Sequence, residues 1–323
     1  MAVKRRLKIK KKNFAIFLLC NFVIIFLIIF IIHFVIKGIN ILTSKENKQE
    51  SSRVVEQKNK NNKEKVQPRD LEKDDNKEKL KQLGNINKKI DFFKMEYLDR
   101  YIDYKSKNED LEDEQIVLNV NMGIDKPYYT NTSETKYLNT TYILVNKYNF
   151  LSSDYVPKNL VSISNKYSIG GMKLVEEARD AFEDMASDAL KEKMHIIAMS
   201  SYRSYNYQVD LYNKYAKQDG KDAADTYSAR AGFSEHQSGL CLDVYDGEIP
   251  YTSFEKTNEF KWMQRNAYKY GFILRFPKDK VDETGYRYES WHYRYVGKEI
   301  AKYIYDNNIS FEEYYARFIE GKK

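Results

Sequence analysis

The chain has 323 residues, room for one or two domains, and 42% of them are hydrophobic, enough for a sizeable core. Its net charge of +7 is local: seven of the 54 Lys and Arg (Lys4, Arg5, Arg6, Lys8, Lys10, Lys11, Lys12) precede the first apolar run, and the other 47 equal the 47 Asp and Glu. That balance gives no nucleic-acid footprint, and two cysteines, Cys20 inside the first apolar run and Cys241 alone after it, do not make a disulfide scaffold.

Residues 1–13 read as a basic cytoplasmic segment. Phe14 to Ile36 is apolar apart from Asn21 and His33. At about 1.5 Å per residue it crosses a ~30 Å hydrocarbon core, so it reads as a transmembrane anchor in membrane lipid. Basic residues before it put the N-terminus in the cytoplasm and the rest of the chain outside. A cleaved leader fits less well, because its apolar core runs about 7–15 residues and ends at small residues. Residues 37–91 are rich in Lys, Glu, Asn, Gln and Asp without a lasting helical period, which reads as a solvated linker.

Order is expected from Phe92. Phe93, Tyr97, Tyr101 and Tyr104 recur at helical spacing, and Ile116 to Val120 reads as strand or helix, so 92–140 forms a small extension or arm. The main domain is expected over 141–323. Ile143-Leu144-Val145 is a short apolar run, and Tyr155-Val156-Pro157 is extended. A helix is predicted from Met172 to Glu192, with Leu174, Ala178, Phe182, Met185 and Ala189 on one face. A strand follows at Ile196–Met199, a helix at Tyr205–Lys217, and a shorter one at Ala223–Arg230. Leu240–Val244 reads as a strand. Phe260, Met263, Ala267 and Tyr270 mark a helix stopped by Gly271. Phe272–Phe276 and Tyr288–Tyr293 read as strands, and Ser310 with Glu313 is a capping box for a last helix. Helices and strands intermix, so the fold class is α+β.

The chemistry concentrates in Ser234 to Asp243 and Glu289 to His292. His236 and Asp243 are seven apart with Gly239 between, which lets the backbone turn so that both side chains converge. His292 completes the set from another strand. Two imidazoles and one carboxylate suit Zn²⁺ and leave a fourth position for water. Glu289 is then the expected base, taking a proton from water and passing it to a leaving amine. Arg203, after a buried strand, is placed to hold a substrate carboxylate or a developing oxyanion, with a structural salt bridge as its plainer role. Gln208 and Ser234 are expected to line the same cleft. Tyr202 and Trp291 read as walls, His195 as structural, and Cys241 as small buried packing without a ligand role.

Ser200-x-Tyr202-Arg203-Ser204, Ser234-x-His236-x-x-Gly239-x-Cys241-x-Asp243 and Glu289-x-Trp291-His292-x-Arg294-Tyr295-Val296-Gly297 together resemble the VanY-type peptidoglycan carboxypeptidases of the LAS metallopeptidase group. The resemblance spans about Asn121 to Gly297. It implies a small antiparallel sheet carrying zinc, flanked by helices. It assigns His236, Asp243 and His292 as ligands, Glu289 as base, Arg203 as substrate and transition-state cation, and Gln208 and Ser234 as substrate contacts. The implied activity is removal of the terminal D-Ala from peptidoglycan stem peptides. Trimming of tetrapeptides at an L,D-bond, or non-hydrolytic binding to the wall, are the alternatives. One departure is visible: Cys241 stands where the family carries Ala.

Overall fold

A computed structural model describes residues 76–320 apart from 82, 85, 87 and 88. The expected basic segment, the expected anchor at 14–36 and the linker as far as residue 75 lie outside those residues. Among the described residues no helix is long and apolar enough to cross a membrane.

The N-terminal arm consists of α1 (Leu98–Lys107) and α2 (Asp113–Met122). Ile116 to Val120 is therefore helical, and Gly123 ends that helix in the left-handed conformation, at φ +88°. The arm's core draws Leu83, Ile86 and Ile90 into contact with Leu98, Tyr101, Ile116 and Val120. Ordered packing thus starts earlier than Phe92, inside the stretch expected to be linker, because three sparse apolar residues find a partner face that local composition does not reveal.

Short strands follow: β1 (Ser133–Glu134) pairs parallel with β2 (Asn149–Phe150), and β3 (Leu160–Ser162) pairs antiparallel with β4 (Lys173–Val175). The helix expected from Met172 starts later, as α3 (Glu176–Lys191), because Lys173–Val175 is held in the β3 ladder and by Val175 N–H on the Gly239 carbonyl. Glu176 and Glu177 then sit in the first turn, where negative charge is favoured. Ala178, Phe182, Met185 and Ala189 are buried along one stripe of α3. That stripe packs on Ala198, Leu242, Val244, Phe272 and Tyr293 of the main sheet. Emptying its centre by Phe182→Ala costs about 3–5 kcal/mol by the usual scale for buried aromatic residues.

The main sheet has order β5 (Ile197–Ser200), β6 (Cys241–Tyr245), β8 (Glu289–Tyr295), β7 (Phe272–Phe276), and all its pairs are antiparallel. Between β5 and β6 runs α4 (Tyr205–Asp219), capped by Ser204, whose hydroxyl accepts from Tyr207 N–H. The helix expected over Ala223–Arg230 is only a turn at Lys221–Ala224. Lys147 Nζ takes the Asp225 carbonyl at 2.7 Å, and the Asp225 carboxylate takes Arg230 at 2.7 Å, so the chain's polar groups are satisfied without further helical turns. Between β6 and β7, α5 (Asn258–Asn266) starts at the Thr257 cap and ends through a tighter turn at Gly271, at φ +88°. After β8 come α6 (Lys298–Asn307), a helix not among those expected, and α7 (Phe311–Phe318), whose first turn is capped by Ser310 Oγ accepting from Glu313 N–H. The arm touches this end of the chain: Leu118 and Met122 of α2 cluster with Ala316 of α7.

Alternation divides the main sheet. Leu242, Val244, Tyr293 and Tyr295 face the α3 core, so Cys241, Asp243, His292 and Arg294 face the other way. That second face carries the site.

Candidate metal centre and active-site cleft

Asp243 and His292 are directly opposed in the β6–β8 register, so their side chains leave the sheet side by side. His236 arrives from a single 3-10 turn, Glu235–Ser238, closed by Gly239 at φ +69°. A side chain at 239 is doubly excluded: a Cβ there would stand 2.9 Å from Leu160 Cδ2 and 3.1 Å from Pro157 Cγ. The tight turn aims His236 at the strand pair, as its spacing from Asp243 suggested.

His236 Nδ1 lies 2.7 Å from the Ser201 carbonyl. It must donate there, which leaves Nε2 as the free lone pair. That Nε2 is 3.4 Å from Asp243 Oδ1, and His292 Nδ1 is 2.9 Å from the same oxygen. Ligands about 2.0–2.1 Å from a tetrahedral ion stand roughly 3.3 Å apart, and the two separations to Asp243 Oδ1 are close to that. All three side chains are buried. The Asp243 carboxyl is held well below its usual range: burial pushes it up, but the His236 imidazole and the Arg203 guanidinium outweigh that.

Glu289 and His292 are three apart, which on a regular strand puts them on opposite faces. The register resolves this. Leu274 pairs with Tyr293 and Phe276 with Glu289, so β8 carries two extra residues across that interval. The bulge turns Glu289 back to the site face. Its Oε2 lies 4.0 Å from His292 Nδ1. Burial is the main cause that lifts the Glu289 pKa from 4.5 to about 7, the range a general base needs at neutral pH.

Arg203, Gln208, Ser234, Tyr202 and Trp291 all line one cleft of about 520 Å³ with the ligands and Glu289. Arg203 Nη2 donates to Asp243 Oδ2 at 2.6 Å, and Nε and Nη2 both reach Ser200 Oγ. The structural salt bridge and the cleft position thus coexist; these bonds use Nε and Nη2 and leave Nη1 for a ligand. Gln208 is buried, donates Nε2–H to the Ala229 carbonyl at 2.7 Å, and has its Oε1 without a partner. An unpartnered buried acceptor in a cleft wall suits an incoming N–H. His195 is exposed two residues before β5 and does not line the cleft.

Two further residues stand at the site. Cys241 shares the site face because it is two before Asp243. Its Sγ and one nitrogen of each imidazole lie within 4.8 Å of one another. Burial raises this thiol, and the two neighbouring imidazoles more than offset it, bringing it to about 7. Cys241 is thus small and buried, as expected, and with His236 and His292 it also forms a group that could hold a metal, a role its sequence context did not assign. Glu235 lies buried behind His292, kept ionised by Arg275 and Arg294 against the cost of burial. The signal was present in Phe272-Ile273-Leu274-Arg275-Phe276, where a lone charge interrupts an apolar strand and so requires a buried partner.

A buried imidazole pair and carboxylate beside a glutamate tuned to neutral pH define a metal-dependent hydrolytic site. Residues 171–298 match the VanY family, D-alanyl-D-alanine carboxypeptidase. The chain is 31% identical to the bifunctional D-Ala-D-Ala dipeptidase and D-Ala-D-Ala carboxypeptidase VanXYC of Enterococcus gallinarum, over 53% of this chain and 92% of that one. It is 41% identical to the solved LdcB LD-carboxypeptidase, covering 54% of this chain and 85% of that one, with a TM-score of 0.51. It is 32% identical to the vancomycin-resistance D,D-pentapeptidase VanY solved in complex with Zn(II), covering 54% and 98%, with a TM-score of 0.48. It also matches curated relatives from Bacillus subtilis and Enterococcus faecium, of whose length it spans 66% and 60%. The chain belongs to the VanY family of D-alanyl-D-alanine carboxypeptidases.

Proposed function

We propose that this chain is a zinc carboxypeptidase that removes the terminal D-Ala from peptidoglycan stem peptides. The observation that carries this reading is the convergence of His236 Nε2, Asp243 Oδ1 and His292 Nδ1 beside the buried Glu289. Zn²⁺ held by those three residues would supply a Lewis acid for the scissile carbonyl and a lowered pKa for the attacking water. Glu289, with a pKa of about 7, takes a proton from water and delivers it to the departing amine. Arg203 Nη1 is the group available for the substrate's terminal carboxylate or for charge developing at the scissile carbonyl. Gln208 Oε1 is available to accept a substrate N–H, and Ser234 lines the same wall. The test is Glu289→Ala: D-Ala release from a purified stem pentapeptide should fall by at least 10²-fold. Undiminished release would remove the mechanism.

Cleavage between two D-Ala residues is the reading favoured by the family match. The likeness to LdcB supports a second reading, trimming of tetrapeptides at an L,D-bond. Incubation with penta- and tetrapeptides, with products identified by mass, separates the two. A non-hydrolytic wall-binding role is disfavoured by the retained base: a module that only binds has no use for a glutamate tuned to neutral pH. Residues 14–36 are proposed to anchor the chain in membrane lipid with the peptidase domain outside, where stem peptides lie; the apolar length of that run and the basic residues before it support this. Protease digestion of intact cells should remove the peptidase domain and spare the N-terminal end.

A further inference from the structure

Behind the proposed zinc ligands lies a buried cluster that the hydrolytic mechanism does not use. Arg275 and Arg294 emerge from β7 and β8 on the site face, and Glu235 and Glu312 meet them. All four are buried, two guanidiniums against two carboxylates. Glu235 Oε1 accepts from Arg275 Nε at 2.9 Å and from Arg294 Nη1 at 3.0 Å. Arg275 turns its other two nitrogens to Glu312 in a fork, at 2.8 and 2.5 Å. Arg294 Nη2 reaches the Ile143 carbonyl at 2.7 Å.

These bonds leave one oxygen of Glu235 over. Glu235 Oε2 is buried without a hydrogen-bond partner, and so is His292 Nε2. The two stand 3.6 Å apart. His292 meanwhile presents Nδ1 to Asp243, where the metal donors gather. A histidine that ligates through one nitrogen usually gives the N–H of the other to a carboxylate or carbonyl, which fixes its tautomer and ring plane. His236 has such a partner in the Ser201 carbonyl; for His292 the group in position is Glu235. Phe276, stacked on the His292 ring at 4.9 Å and 26°, limits its rotation but offers no acceptor.

We propose that Glu235 is the positioning residue of His292, and that the Arg275–Glu312 fork makes α7 part of the metal centre's support. This rests on His292 being a zinc ligand. A salt-bridge cluster serving only to join α7 to the sheet has no need to leave one carboxylate oxygen free, buried and turned to the far nitrogen of a metal ligand. The placement also gives the arm a role. Leu118 and Met122 of α2 pack on Ala316 of α7, and Arg317 of α7 pairs with Glu114 of α2 at 2.6 Å. The arm therefore braces the helix that carries Glu312.

The test compares the full chain with Glu235→Gln and His292→Ala. Zinc affinity is read by competition with a chromophoric chelator, and ligand geometry by the visible bands of the cobalt(II)-substituted protein. Folding is checked by circular dichroism. Folded Glu235→Gln should bind zinc about 10–100-fold more weakly, with shifted cobalt bands, and His292→Ala should lose stoichiometric zinc. Unchanged affinity and bands in folded Glu235→Gln, with zinc lost from His292→Ala, would overturn the role of Glu235 and keep the ligand set. Full zinc affinity in His292→Ala would overturn the ligand reading itself. If Glu235→Gln does not fold, ¹⁵N-histidine NMR of the unaltered zinc-loaded chain decides. A protonated His292 Nε2 with metal on Nδ1 supports the proposal, and an unprotonated or metal-bound Nε2 ends it.

Discussion

Glu289→Gln should stabilise the metal-free protein while abolishing its activity, and the two effects have one cause. Burial raises the Glu289 pKa from 4.5 to about 7. The folded state therefore holds a proton that the unfolded chain releases. The native form binds more protons than the unfolded one between those two values, so stability falls as pH rises through that window. The penalty is small at low pH, about 1 kcal/mol at pH 5, and reaches about 3 kcal/mol by pH 8, at 1.36 kcal/mol per pKa unit. Gln keeps the shape and carries no charge to desolvate, so it removes most of that penalty. For a domain of this size 1 kcal/mol is about 2–4 °C in Tm. Chelator-treated Glu289→Gln should thus melt several degrees above the unaltered chain at pH 8 and within a few degrees of it at pH 5. Parallel melting scans at the two pH values check this, and D-Ala release from a stem pentapeptide provides the activity arm. A Tm difference independent of pH, or a variant less stable at pH 8, would refute the view that a buried, tuned carboxylate is kept for chemistry at the expense of stability.

Three further outcomes follow from the same geometry. His236→Ala should remove stoichiometric zinc, measured by elemental analysis of the purified chain, and take hydrolysis down by at least 10³-fold. Cys241→Ala should leave zinc content intact and activity within a few-fold; a large loss of zinc affinity would instead place the thiol in the coordination shell. Gly239→Ala should cost about 1–3 kcal/mol from backbone strain at φ +69° and the 2.9 Å approach to Leu160, read as a lowered Tm, with zinc bound more weakly because His236 is displaced.

The site was more legible in the sequence than the fold around it. His236, Asp243, His292 and Glu289 stood out because the chain has only four histidines and two of them lie beside acids at useful spacing. The strand at Leu240–Val244 and the apolar stripe of α3 were equally readable, since both report local geometry. What escaped depended on partners distant in sequence. Lys173–Val175 joined a strand instead of the helix because β3 and the Gly239 carbonyl were there to meet it. The 223–230 stretch stopped being helical where Lys147, nearly eighty residues away, took its carbonyl. Glu235 looked like the unremarked neighbour of a ligand because Arg275 and Glu312, its connections to α7, are 40 and 77 positions downstream.

The bulge in β8 shows why a spacing has meaning only with its secondary structure. On a helix, residues three or four apart share a face, so a base and a ligand at that separation need nothing further. On a strand the same separation divides them between two faces. Glu289 and His292 can both serve one metal only if the ladder is broken between them. The two extra residues of β8 opposite Leu274–Phe276 are where that happens. The disruption costs ladder hydrogen bonds and burial of an acid, and it places Glu289 within 4.0 Å of His292 Nδ1. Deleting Ser290 and Trp291 would put residue 289 directly before His292, where strand alternation directs it to the α3 side of the sheet. The irregularity in β8 is therefore what allows a strand, not a helix, to carry both base and ligand.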